Sequence, residues 1–160
     1  MAVFRAFKAL RPTQGKAAAI AALPYDVVNR EEAARIGKEN PDSFLHIDRA
    51  EMDLPADTEL YDHKVYEKAK ENLQNMEAKG MLVQDEKPCY YIYELVRKGK
   101  VQTGIAGCAS IDDYLNNVVK KHELTRSDKE LDRIHHVNAF IAKFFHNGKG
   151  LGEKSSADQD

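Results

Sequence analysis

Between Lys120 and Arg133 the chain reads Lys-Lys-His-Glu-Leu-Thr-Arg-Ser-Asp-Lys-Glu-Leu-Asp-Arg, placing cations, carboxylates, an imidazole and hydroxyls at what should be a strand-to-helix joint. Ser127 with Glu130 three residues on forms a capping box, in which serine and glutamate each take a free amide of the other's end, so a helix starts there. A helix start carries unpaired N–H groups and partial positive charge. Lys120, Lys121, Arg126 and Lys129 beside it would make a place for a phosphate or carboxylate. Lys129, Asp132, Arg133 and His136 follow at helical offsets, so they can address one ligand from successive turns. The same offsets would equally build an exposed ion-pair ladder, worth about 0.2–1 kcal/mol per pair.

Phosphoryl transfer gives each of these residues a role. Arg126, Lys129 and Arg133 would neutralise phosphate oxygens, and the amides after Ser127 would add fixed donors. Glu123 would act as general base toward a hydroxyl or as a magnesium ligand, because that ion takes few carboxylates and several phosphate oxygens. Alternatively Glu123 pairs with Lys121 on the same strand face, and His122 points to the opposite one. Tyr25 and Asp26, after Pro24, would bring a ring and a carboxylate from elsewhere in the chain, or else form a turn in which the aspartate caps an amide. His46, beside Phe44 and Leu45, is either a ligand-facing residue or a hydrogen-bonded core histidine. Asp132 and His136 would couple as carboxylate and imidazole, or remain an exposed pair.

The elements that must position these groups follow from periodicity and punctuation. Val3 to Leu10 is expected as a first strand stopped at Arg11-Pro12, and Lys16 to Ala22 as a short helix. Asn29 with Glu32 caps a helix running to about Lys38. Ser43 to Asp48 reads as a strand, and the acidic stretch Ala50 to Tyr61 with Pro55 as a surface connection. A long helix then carries Val65, Ala69, Leu73 and Met76 on one face and stops at Gly80. Cys89 to Arg97 and Val101 to Ile111, joined by Lys98-Gly99-Lys100, predict a hairpin. A helical turn at Asp112 to Asn116 and a short strand at Val118 to His122 lead into the capped helix. Its predicted core stripe is Ile134, Val137, Ile141 and Phe144, with Phe140 and Phe145 assigned to core or interface.

The predicted fold class is α+β, a small mixed sheet with packed helices in a single domain over 1–145, followed by a polar tail, 146–160, too poor in apolar residues to pack. The sequence has 160 residues, 24 basic and 26 acidic, so no global field draws it to nucleic acid, which is disfavoured. No apolar run approaches the roughly 20 residues of a bilayer span, and no signal peptide precedes the first strand, so a cytoplasmic protein without a membrane partner is expected. Cys89 and Cys108 show neither zinc nor redox spacing and are read as small buried residues.

Ala6-Phe7-Lys8-Ala9-Leu10-Arg11-Pro12, Leu23-Pro24-Tyr25-Asp26-Val27-Val28, Asn40-Pro41-Asp42-Ser43-Phe44-Leu45-His46, Tyr61-Asp62 and Lys120 to Arg133 together resemble domain-of-unknown-function family 1015. The resemblance covers nearly all of Val3 to Ala142. That family's N-terminal region looks distantly like the ParB/sulfiredoxin fold, whose members bind nucleotides and include a CTP-binding partition protein, an ATP-using sulfinic-acid reductase and free-serine kinases. The resemblance therefore implies phosphate or nucleotide contacts at Lys121, His122, Thr125, Arg126, Lys129 and Arg133. It also implies Glu123 as the acidic residue at the metal or acceptor, with ATP or ADP and Mg2+ as cofactors. Family members continue beyond this helix into a second region, so a truncated or stand-alone N-terminal module is expected here, prone to self-association or to binding a C-terminal partner. Two functions compete: a small-molecule kinase of the free-serine type, which predicts turnover, and a non-catalytic regulatory or DNA-associated ParB-like module, which predicts binding alone.

Overall fold

The computed structural model describes residues 1–120 and 127–146. The architecture is mixed α+β, and the chain divides into two compact units, Met1–Ile20 with Met76–Thr125 and Ala21–Asn75 with Arg126–Asp160.

The first unit holds all the strands among the described residues. β1 (Phe4–Arg5) pairs with β6 (Cys108–Ala109), β2 (Leu10–Pro12) with β3 (Leu82–Gln84), and β4 (Tyr91–Arg97) with β5 (Lys100–Ala106), every pair antiparallel. The expected single mixed sheet is thus replaced by three two-stranded ones. The first strand also divides into β1 and β2, with Pro12, which lacks an N–H, closing the second piece. The β4–β5 hairpin forms as predicted, because Lys98 (φ 50°) and Gly99 (φ 75°) both take the left-handed conformation of a two-residue turn that follows the strand twist. Asp85 ties this unit together by accepting two bonds from Arg11 Nε (3.1 and 2.9 Å) and lying 2.6 Å from the Tyr91 hydroxyl. Those two bonds hold the Asp85 carboxyl below its ordinary range, the Arg11 hydrogen bond first.

Two local expectations in this unit are corrected. Cys89 and Cys108 are free and exposed, because both sit on two-stranded pairings with no covering layer over them. Val118 and Val119 do not extend into a strand. Their amides turn back onto the Asp113 carbonyl (2.8 and 3.0 Å), closing the end of helix α5 (Ile111–Leu115). Earlier in the unit the alanine-rich stretch gives the short helix α1 (Ala17–Ile20).

The second unit is helical. α2 (Arg30–Glu39) begins at the predicted capping box: Asn29 Oδ1 accepts from the Glu32 amide at 2.9 Å and Glu32 Oε2 accepts from the Asn29 amide at 2.9 Å. Asn29→Ala is expected to cost about 1 kcal/mol of stability, read as a lower urea midpoint at unchanged slope.

Ser43 to Asp48 is not a strand. Helix α3 (Leu45–Asp48) stands there, followed by a 3₁₀ turn at Ala50–Asp53. Leu45 and Ile47 alternate with His46 as in a strand, yet both are buried, Leu45 against Val28 and Ala33. The presumed surface connection after it starts inside the core, with Ala50 packed on Val65 and Ala69 of the long helix α4 (His63–Ala78).

Helix α6 (Ser127–His146) forms where predicted, and from Lys129 to Val137 the polar rather than the apolar side turns inward. Leu131, Ile134 and Val137 are 56, 46 and 49% exposed, whereas Lys129, Asp132, Arg133 and His136 are half-buried. The surface that receives them offers polar and aromatic groups, so the polar face makes the better partner. Ile141 and the phenylalanines Phe140, Phe144 and Phe145 fall within the helix by backbone. Among the described residues no helix is long and apolar enough to cross a membrane.

Candidate functional site

A cleft of about 80 Å3 opens within the second unit, lined by Tyr25 from the segment before α2, Asp48, Arg49 and Glu51 around α3, Tyr66 of α4, and Lys129, Asp132, Arg133 and His136 of α6. Each element presents its side chain for a local reason. The Arg49 Nη1 donates to the Tyr25 carbonyl at 3.1 Å, which holds the Pro24-Tyr25 turn against the end of α3. Tyr25 then offers its ring to Arg133, whose guanidinium carbon lies 3.8 Å from the ring centroid. The Tyr66 hydroxyl donates to Asp132 Oδ1 at 3.1 Å, and His136 Nε2 faces the Ile47 carbonyl at 3.3 Å. Thus α6 is registered on the unit by contacts at Asp132, Arg133 and His136, over about one helical turn.

Among the described residues the charges in this cleft are balanced. Arg49, Lys129 and Arg133 face Asp48, Glu51 and Asp132. Arg49 Nε lies 2.7 Å from Glu51 Oε1, an ion-pair distance without hydrogen-bond alignment, and Glu51 is buried. The Tyr66 hydroxyl is pushed up to about 12, by burial first and then by its bond to Asp132, so it stays a donor at neutral pH. Burial also raises the Asp48 carboxyl above its ordinary value, opposed by the nearby charges of Arg133 and His136.

Asp48 makes stability depend on pH with a definite sign. Because its folded-state value is raised, its contribution is fully present below the ordinary value of 3.8 and is lost as pH rises through the folded one. Asp48→Asn should therefore melt at a higher temperature than the parent at pH 7, with the difference vanishing near pH 3. Equal melting at pH 7 would contradict this account.

Five of the residues singled out by sequence, Tyr25, Lys129, Asp132, Arg133 and His136, converge on this cleft. Asp26 is exposed and is not among its lining residues. His46 sits on α3 rather than on a strand, with Nδ1 2.9 Å from Asp53 and Nε2 3.2 Å from the Gly37 carbonyl, so both ring nitrogens face acceptors within the fold. Lys121, His122, Glu123, Thr125 and Arg126 lie outside the described residues, as do residues 147–160. Sequence reasoning missed Asp48, Arg49, Glu51 and Tyr66. The compact charge group Asp48-Arg49-Ala50-Glu51 was a usable signal, whereas Tyr66 was hidden within an amphipathic helix.

About 80 Å3 is room for two or three waters at roughly 30 Å3 each, and is small beside the roughly 300–1,000 Å3 of drug-sized ligand pockets. It suits one small polar group, such as a phosphoryl or carboxylate, rather than a whole nucleotide. Among the described residues no cluster of three or more His, Cys, Asp or Glu is arranged to hold a metal.

A family model described as a protein of unknown function (DUF1015) matches residues 4–146. No curated protein and no solved structure matches the chain.

Proposed function

This chain belongs to the DUF1015 family, and from that premise we propose that it is a phosphate-binding domain that takes a nucleotide, ATP or ADP, in the manner of a ParB/sulfiredoxin-like fold. The observation that carries this reading is the placement of Arg133: its guanidinium carbon lies over the Tyr25 ring, 3.8 Å from the centroid, in a cleft that also receives Lys129, Arg49 and His136. A guanidinium held by its face keeps its N–H edges for a phosphate, which it can grip with two parallel bonds.

The neighbouring carboxylates agree with a nucleotide that arrives with magnesium. Asp48 stands beside Arg133 and His136, and an ion of this kind needs only one or two carboxylates because phosphate oxygens and water complete its shell. Asp48 is thus the described residue that would meet it, and Glu123 is the sequence candidate for general base. The chemistry these residues would serve is transfer of the terminal phosphoryl group of ATP or ADP to the hydroxyl of a small molecule, with the hydroxyl proton passing to Glu123 and ADP or AMP leaving, the free-serine type being the reference case. The balanced lining and the overall charge of −2 do not favour a phosphate backbone of DNA.

The test is isothermal titration with ATP, ADP and CTP, each with and without magnesium, followed by product analysis with hydroxylated amino acids as acceptors. Saturable binding with turnover supports a kinase. Binding of a nucleotide without turnover leaves the non-catalytic module, and no heat from any nucleotide ends the phosphate reading.

A further inference from the structure

A second cavity, of about 320 Å3, adjoins the phosphate cleft and shares Tyr61 and Tyr66 with it. Its remaining walls are His63 and Glu67 of α4 and His135, Asn138 and Ala139 of α6. Tyr66 stands between the two spaces. Its ring lies 5.8 Å from that of His135, on the side of the second cavity, and 6.2 Å from that of His136, on the side of the first. Consecutive residues on a helix diverge by about 100°, so His135 and His136 straddle one tyrosine and serve different spaces.

The two spaces differ in chemistry as well as size. The smaller holds arginines and lysine. Among the described residues the larger holds no arginine or lysine and carries Glu67, whose carboxylate is 3.9 Å from His63 Nε2 and would repel a phosphate. What the larger one offers is exposed ring-bearing side chains, Tyr61 and His135, with Asn138 and Glu67 also on its lining. Stacking surface edged by an amide and an acceptor suits a flat, neutral heterocycle bearing N–H groups.

The geometry points to a two-part site: a ligand whose phosphate enters the Arg133 cleft places its planar nitrogenous ring in the His135 cavity, past the edge of Tyr66. This rests on the phosphate reading above and adds where the organic part of the ligand lies. The ligand class is then a nucleoside phosphate, and a phosphorylated sugar or bare polyphosphate uses only half the site.

The experiment compares ADP, ribose 5-phosphate and pyrophosphate by titration against the full chain and against His135→Ala and Asn138→Ala. Both substituted residues are exposed, and thermal melting confirms the fold of each variant. The expected result is ADP binding at least about tenfold tighter than the two base-free probes, as base stacking contributes. His135→Ala should erase that preference, bringing ADP to the affinity of pyrophosphate. Equal binding of ADP and pyrophosphate by the parent, or a preference that survives both substitutions, overturns the ring site and leaves the phosphate cleft standing. If pyrophosphate and ADP both fail to bind, the phosphate reading has failed and the ring site falls with it.

Discussion

Arg133→Ala is expected to weaken nucleotide binding by about 10- to 100-fold, the range given by losing one charge-assisted hydrogen bond of roughly 1.5–3 kcal/mol. The effect should be large because the side chain is already in place before a ligand arrives. Its guanidinium is 3.8 Å from the centre of the Tyr25 ring, and Tyr25 is itself held by Arg49 through its carbonyl. Little rotamer freedom is left to lose on binding, so most of the hydrogen-bond energy reaches affinity. Arg133→Lys should restore only a minor part, since an ammonium neither stacks on the ring nor offers a planar fork. Tyr25→Leu should give an intermediate loss by leaving the arginine free to move. Titration with ATP and magnesium reads all three, with thermal melting to show that each variant folds. Parent-like affinity in Arg133→Ala would remove this cleft as the phosphate site.

The parts of this structure that were legible in the sequence are those fixed by neighbours in the chain. The Asn29 and Glu32 cap, the Gly99 turn and the long helix with its Val65, Ala69, Leu73 and Met76 stripe each depend on interactions within a few residues. The Ser43 to Asp48 segment misled because Leu45-His46-Ile47 alternates like a strand. In a helix of a single turn, two apolar residues can both be buried because packing closes on it from more than one side.

The orientation of α6 was illegible for a different reason. Its apolar residues recur at helical spacing, yet Ile134 and Val137 of the expected core stripe are exposed, because which face turns inward depends on what waits there. Tyr25, Asp48 and Tyr66 come from three distant segments and together prefer the polar face. The candidate site shares this origin: sequence spacing could align Lys129, Asp132, Arg133 and His136 on one helix, but only tertiary packing could set Asp48, Arg49 and Tyr66 opposite them.

Arg30→Ala is expected to cost about 2–3 kcal/mol of stability and to weaken ligand binding as well, although Arg30 does not line the cleft. One guanidinium here serves three carbonyls: Nη1 donates to Thr58 at 2.7 Å, and Nη2 donates to Glu51 at 3.0 Å and Pro55 at 2.9 Å. It thereby fastens the irregular segment after α3 to the first turn of α2. A cation in that turn opposes the helix dipole, so the three bonds must outweigh an unfavourable end charge. Removing the side chain takes one donor from each of three carbonyls: Glu51, in the 3₁₀ turn, and Pro55 keep the Leu54 and Thr58 amides (3.3 and 2.9 Å), while Thr58 loses the guanidinium it faced. Glu51 is buried, lies 2.7 Å from Arg49 and lines the cleft, so loosening its backbone also loosens Arg49 and, through it, Tyr25. Arg30→Lys should recover at most one of the three contacts, because an ammonium cannot span carbonyls that a planar fork reaches together. Urea unfolding measures the first effect and nucleotide titration the second. A loss no larger than that of the adjacent Asn29→Ala would show that the segment is held by its apolar contacts, Leu54 on the Ala50, Val65 and Ala69 cluster among them, and that Arg30 merely decorates it.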